Sequence, residues 1–449
     1  MNINVLDKWL NRSFFGYAII VYLILLAVLS FMKADKVPDD SLVACQIIGL
    51  SLVFISSRFY SYRSIWTTIV VVFFFQLIAG YGLRIFNIEF YGDPLGLNPI
   101  DAGDYNRNGM HTELSIVQFC KMLASNRYML DDYGFNIIVY LCYKLFTPDN
   151  GIHVLVLFNA VAVAVSSLFL YKLSRLYFTI EASMFIAFLW GTELFAAYTA
   201  SVGLKENFMV MFIIISMYYL CKLNRGVNIK DTLLFLFFAS FALLFRMAIF
   251  YMLIACWLFQ LSLRFSIVQK HLYIYVAFVV VLAVLYYMQT VDQLAIMRGY
   301  SYEMLQKLAK NKIDLTGQYA VLTNYVSAMI GPIPNLLSPA PDRSYLTTYS
   351  FTPFCKVIYS FFMLYGICRA LKDRSYWLLP MIAFWALDTV MLIFTFFSLH
   401  DRYQWPHIPF TIVIASYGFI MWKRNKHLFN FKNAYAIMAL LLVMVFNLR

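Results

Sequence analysis

Charge is what this sequence has least of. Only 13% of its 449 residues are Asp, Glu, Lys or Arg, about half the share of an ordinary soluble domain, so a water-facing globular surface is excluded. Cysteine and histidine are also sparse, at 7 and 6. There is no C-x-x-C and no pair of His or Cys at metal-ligand spacing, which removes a dithiol redox motif and a zinc site. Cys120 and Cys142 fall in one expected external region, which leaves a disulfide between them open. Repeats, low-complexity tracts and flexible linkers are missing, so residues 1–449 read as a single integral domain. No cleavable leader is expected either: the first apolar run, Phe14 to Met32, is too long for a signal h-region and has no small-residue exit, so it reads as the first span.

Hydrocarbon fills the space that charge leaves. The chain is 62% hydrophobic and 19% aromatic. Apolar runs recur along its whole length, enough for about 13 transmembrane helices of roughly 20 residues. These fall near 13–32, 42–57, 65–84, 152–171, 180–197, 207–222, 232–245, 247–263, 272–289, 353–369, 376–397, 405–422 and 433–448. The expected fold is an all-α polytopic membrane protein.

The net charge of +12 is in such a protein a topology signal before it is a nucleic-acid signal, because Lys and Arg stay on the cytoplasmic side. With Lys8 and Arg12 inside, Arg58, Lys172, Arg175, Lys222, Arg225, Arg264, Lys270, Arg369, Lys372, Lys423 and Arg424 all fall in cytoplasmic turns. That holds only if "YGFNIIVYLCYKLF" (Tyr133 to Phe146) does not cross, and about 14 residues is short for a crossing. It reads as a helix in the outer interface, with Tyr133, Tyr140, Tyr143 and Lys144 as headgroup anchors. Outside lie two large loops, 85–151 and 290–352, and short turns around 198–206, at Arg246 and around 398–404.

Five polar clusters fall on that outer side. "NPIDAGDYNRNG" (Asn98 to Gly109) carries Asp101, Asp104, Tyr105 and Arg107; the bland reading is a solvated helix start, the functional one a carboxylate base in a partly desolvated cleft. In "SVGLKEN" (Ser201 to Asn207), Lys205 and Glu206 snorkel to the interface, or Lys205 meets a phosphate. Arg246 interrupts "FALLFRMAIFYML" and is costly there unless it reaches water or a partner. "SLHDRYQWPHIP" (Ser398 to Pro409) packs His400, Arg402 and Tyr403 into one short turn, and an Arg offers a planar fork for phosphate oxygens. "MRGYSYEMLQKLAKNK" (Met297 to Lys312) reads as an amphipathic helix on anionic headgroups or as a cover over a lipid-linked phosphate. The proline-rich "GPIPNLLSPAPDR" (Gly331 to Arg343) cannot be a regular helix, and its Arg343 is a further phosphate candidate. A carboxylate opposite several cations is what transfer from a phosphate-linked donor needs.

Asp101 to Tyr105 resembles the outer-facing D-x-x-x-Y-like motif of GT-C-type membrane glycosyltransferases. The stretch from Tyr133 to Phe178 is similar to that group's juxtamembrane helix, next span and basic turn. "HDRYQWPHIP" resembles its R-Y-x-x-P pattern. The resemblance implies that Asp101 is the catalytic base, with Asp104 next in line, and that Arg402 and Tyr403 contact the carrier phosphate or the sugar. It further implies inverting transfer from a polyprenyl-phosphate-linked or polyprenyl-pyrophosphate-linked sugar to a glycan or lipid-linked acceptor. The setting it implies is a bacterial inner membrane, with the N-terminus cytoplasmic and the active face external, in surface-polysaccharide assembly. No cofactor is required by this reading, and a divalent cation stays open. The chain is also similar in style to Wzy-type O-antigen and capsule polymerases. The non-enzyme alternative is a flippase for lipid-linked glycans, which would place ionisable residues near mid-span; here Asp388 is the main such residue.

Overall fold

The computed structural model describes residues 13–33, 40–59, 64–96, 99–125, 132–226, 228–263, 271, 320–337, 350–395, 401–424 and 429–448. Among them every regular element is helical and no strand occurs. In chain order these are α1 (Ser13–Met32), α2 (Asp40–Phe59), α3 (Ile65–Tyr91), α4 (Pro99–Gly109), α5 (Ile116–Ser125) and α6 (Tyr133–Arg175). There follow α7 (Ile180–Gly191), α8 (Leu194–Ser201), α9 (Glu206–Lys222), α10 (Ile229–Leu243) and α11 (Met247–Ser262). The last group is α12 (Ala320–Ile330), α13 (Phe351–Lys372), α14 (Leu379–Thr395), the single turn α15 (Asp401–Gln404), α16 (Ile408–Arg424) and α17 (Phe429–Leu448).

The all-helical polytopic expectation holds, with seven helical segments among the described residues long and apolar enough to cross a membrane. Five more expected spans are helices of 15 to 17 residues. At 1.5 Å per residue these reach about 22–26 Å, short of a hydrocarbon core of roughly 30 Å. The span expected at 272–289 and the amphipathic stretch 297–312 lie outside the described residues.

Two helices depart from their expected form. The run Tyr133 to Phe146 is joined to the following span in one 43-residue element, broken where Thr147 takes φ 64° and ψ 156° ahead of Pro148. Proline has no N–H to donate and disfavours the helical region for its predecessor, which fits the extended ψ; the positive φ of the β-branched Thr147 goes beyond that preference. Two of the residues expected as headgroup anchors turn inward instead. Tyr140 is buried, stacks on Phe119 with ring centroids 4.2 Å apart and donates to the Leu114 carbonyl at 2.6 Å. Buried Tyr143 bonds Asn106 of α4. These contacts fasten α4 and α5 onto the first half of α6.

The run expected as one span near 180–197 is interrupted at Thr192 and Glu193. The break frees carbonyls, and Gln76 of α3 reaches across to satisfy two of them, those of Gly191 at 2.8 Å and Glu193 at 3.1 Å. Residues Ala182 to Gly191 of α7 and all of α8 are buried, so this broken helix is the centre of the packing. A helix buried all round needs no amphipathic stripe, which is why its sequence is uniformly apolar.

In the C-terminal half, α13 and α16 approach so closely that a Cβ at Gly418 would overlap the Phe362 carbonyl. Small residues at such crossings let membrane helices come into backbone contact. The start of the proline-rich stretch is non-helical, as expected. It is held by Asn447 of α17, which accepts from the backbone N–H groups of Leu336 and Leu337 at 2.7 and 3.1 Å and donates to the Pro334 carbonyl at 3.0 Å.

The turns sort into two ends. At one, Tyr177 stacks on Trp377 at 4.0 Å and bonds the Cys221 carbonyl, while Lys222 pairs with Asp231 at 2.7 Å. The polar residues of the other end form the cluster described next.

Candidate active site

The first wall comes from α4. Gly92 caps α3 with φ 67°, and Asp93 accepts the Leu95 N–H at 2.8 Å, turning the chain back towards α4. Pro99 opens α4, where its missing N–H costs nothing, and Asp101 lies in the first turn, where the helix dipole favours a carboxylate. Tyr105 is one turn further on the same face. Asp104 and Arg107 point elsewhere: they pair with each other, and Arg107 is 77% exposed.

The second wall is Asp132, just before α6. Asn108 of α4 donates to Asn136 at 2.9 Å, and Asn136 donates to the Asp132 carbonyl at 2.9 Å, which fixes that corner. Tyr105 packs edge-on to Phe135 at 5.0 Å and donates to Asp132 Oδ1 at 2.9 Å.

The floor is the turn from α8 to α9. Buried Arg84 of α3 donates to the Ser201 carbonyl at 2.5 Å and to the Ile152 carbonyl at 2.7 Å, so one guanidinium ties this turn to the segment after the α6 break. Gly203 takes φ 72°, a conformation costly for any residue with a Cβ. Lys205 then pairs with Asp132 and donates to the Phe245 carbonyl at 2.7 Å. Glu206 starts α9.

The last wall is α15. Arg402 spreads its fork between two carboxylates: Nε donates to Glu206 and Nη1 to Asp101. The Arg246 guanidinium lies 4.7 Å from the Tyr403 ring centre, within range of a cation–π contact. Among the described residues Arg246 meets no carboxylate.

Asp101, Asp132 and Glu206 thus pair with Arg402 and Lys205, while Arg246 lies against Tyr403 beside them. The Asp101 side chain is 40% exposed and that of Glu206 3%, so Asp101 is the open carboxylate and Glu206 the enclosed one. Burial favours the neutral forms, yet Glu206 and Asp101 together hold Arg402 more firmly cationic than an ordinary guanidinium. Burial likewise works against Asp132, but Lys205 and the Tyr105 hydroxyl outweigh it and set its carboxyl below the usual 3.8. Tyr105 is pushed up, first by burial and then by Asp132; it stays a donor.

A pH dependence follows from Asp132. A depressed folded-state value stabilises the protein above the unfolded value and is lost as pH falls through the depressed one. Thermal melting of the detergent-solubilised protein is therefore expected to weaken below about pH 4, and less steeply in Asp132→Asn. An equal slope in both would remove Asp132 from the account.

Of the residues singled out from sequence, Asp101, Tyr105, Lys205, Arg246, Arg402 and Tyr403 come together here, from segments as far apart as residues 101 and 403. Asp104 and Arg107 stand apart as an exposed pair. His400 and Arg343 lie outside the described residues. Asp132 was missed: an acidic residue directly before a helix reads as a cap, but its side chain makes no capping bond and goes to Lys205 and Tyr105; Glu206 was noticed but read as an interface residue. Cys120 and Cys142 are free thiols. Among the described residues no group of three or more His, Cys, Asp or Glu is arranged to hold a metal ion.

Fold and cluster together define a polytopic helical membrane protein with a mixed-charge cluster at one end of its bundle. Residues 134–287 match the family model of dolichyl-phosphate-mannose-protein mannosyltransferases, a GT-C-type family of membrane glycosyltransferases that use polyprenyl-phosphate-linked sugars. The resemblance read from the sequence is thus met by a family match. Lys205, Glu206 and Arg246 lie inside the matched stretch; Asp101, Asp132 and Arg402 lie outside it. No curated protein and no solved structure matches the chain.

Proposed function

We propose that this chain is a membrane glycosyltransferase that moves a sugar from a polyprenyl-phosphate-linked or polyprenyl-pyrophosphate-linked donor to a glycan acceptor. The observation that carries this reading is the open carboxylate of Asp101 held by Arg402 in one cluster with Lys205 and with Arg246, which meets no carboxylate among the described residues. Asp101 takes the proton of the acceptor hydroxyl as its oxygen attacks the anomeric carbon. The bond from that carbon to the phosphate oxygen breaks on the opposite side, and the phosphate leaves with the electron pair. Its developing charge is met by Arg246 and Arg402, with Lys205 behind them. The attack inverts the anomeric centre.

The basic turns favour the site facing outward, in a bacterial inner membrane with its N-terminus inside. Reporter fusions at Lys172, Lys222 and Arg369 are expected to read cytoplasmic; an external signal at all three would reverse the orientation. The acceptor then belongs to an envelope polysaccharide such as O-antigen or capsule. Deleting the chain should leave the lipid-linked sugar to accumulate and one sugar missing from each glycan unit. A lost long-chain ladder with one complete unit retained would point to a polymerase instead, and an unchanged glycan would sink the assignment.

A further inference from the structure

A second polar system lies deeper in the protein, in residues that the transfer step does not touch. Gln404, fully buried at the end of α15, donates through Nε2 to the Ser327 carbonyl of α12 at 2.7 Å and accepts through Oε1 from Lys356 of α13 at 2.8 Å. The Lys356 ammonium also lies 3.0 Å from His407 Nε2, and His407 Nδ1 lies 2.6 Å from Asp388 Oδ2 of α14. Gln404, Lys356, His407 and Asp388 are each at most 1% exposed.

With Lys356 as an ammonium and Asp388 as a carboxylate, the proton order follows from what each group can offer. An ammonium has only donors, so His407 Nε2 must accept from Lys356; Nδ1 then carries the proton and donates to Asp388. A neutral imidazole therefore separates a buried cation from a buried anion. Such an arrangement is an expensive way to gain stability, because hydrocarbon of the same volume does as well or better. Its place in the fold is more informative. Arg402 and Tyr403 ride on the first turn of a helical stretch that runs on through a 3-10 turn (Trp405–His407) into α16, and a first turn is the part of a helix least held by its own hydrogen bonds. Gln404 and His407 flank the end of that turn and lash it to α12, α13 and α14.

We infer that Asp388, His407, Lys356 and Gln404 are positioning residues that set the placement of Arg402 and Tyr403 for a phosphate. This rests on the reading of that pair as phosphate-holding groups. Sequence places Gln404 and His407 together in "SLHDRYQWPHIP" but shows Lys356 and Asp388 only as isolated polar groups in separate apolar runs, and the flippase alternative used Asp388 as mid-span evidence; here it is a link in a chain that ends at α15.

The test measures binding of farnesyl phosphate, with farnesol as the uncharged control, to the full-length protein in nanodiscs. Gln404→Met and Asp388→Asn are compared with wild type and with Arg402→Lys. Both positioning variants should bind farnesyl phosphate at least about tenfold more weakly, with farnesol changed less than about twofold, since a small misplacement of a binding group costs that much or more. Where Asp388→Asn fails to elute as a folded species, Gln404→Met decides, because it leaves the Asp–His–Lys chain whole. Equal weakening of both ligands would mean a merely structural role and overturn the inference. So would wild-type phosphate binding by Gln404→Met while Arg402→Lys is weakened. If Arg402→Lys also binds as wild type, the phosphate reading itself fails.

Discussion

Asp101→Asn should cut sugar transfer by about 10²- to 10⁴-fold, the range for removing a general base, while the protein still inserts and elutes as a folded species. The two properties separate because of how Asp101 is held. Its partner Arg402 keeps a second carboxylate, Glu206, so the guanidinium stays paired and in place. The amide also keeps an oxygen able to accept from Nη1; what it lacks is the capacity to take a proton. Asp104 is the matched control, one turn along the same helix with its charge spent on Arg107, and Asp104→Asn should retain activity within about twofold. Transfer of radiolabelled sugar by membranes carrying each variant decides between them. Full activity in Asp101→Asn, or loss in Asp104→Asn alone, would move the base.

Arg402→Met should act on the fold as well as on the chemistry. Glu206 is enclosed, and its second oxygen has no partner among the described residues; removing Arg402 leaves both oxygens unpaired. An uncompensated buried charge costs about 3–5 kcal/mol, enough to lower the melting temperature sharply or prevent accumulation. The double variant Arg402→Met with Glu206→Leu removes the pair together, and replacing a buried ion pair by apolar groups is often neutral. It should regain thermal stability and stay inactive. If the single variant melts like wild type, Glu206 is better solvated than its surroundings indicate. If the double variant transfers sugar, the guanidinium is not part of the reaction.

Much of this arrangement was legible in the sequence through charge. Counting Lys and Arg by turn assigned "NPIDAGDYNRNG", "SVGLKEN", Arg246 and "HDRYQW" to one side without knowledge of any contact, and side chains from all four segments now meet. Charge counting works there because the cost of moving Lys or Arg across a membrane acts on each turn separately. It says nothing of which carboxylate faces which cation; the ranking of Asp101 ahead of Asp104 comes from the family resemblance alone, and in the structure Asp104 pairs with Arg107 instead. Asp132 escaped notice because its partners, Lys205 and Tyr105, come from other segments.

The interior was less legible for a related reason. Hydropathy averages over a window, so a lone Glu193 left 180–197 looking like one continuous span. The break is stabilised by Gln76, more than a hundred positions away. The tyrosines of 133–146 carry an interfacial composition wherever they point, and only the contacts with Asn106 and Phe119 show that two of them face inward.

The pairing of Arg402 with Glu206, across 196 positions of chain, also bears on inheritance. A lineage that lost Arg402 alone would strand the enclosed Glu206 carboxylate, whereas one that lost Glu206 would still hold Arg402 on Asp101, so a change at 402 should accompany or follow one at 206. Only one of the two falls within the stretch shared with the mannosyltransferase family. Descent traced through that stretch alone therefore follows one half of a single inherited character.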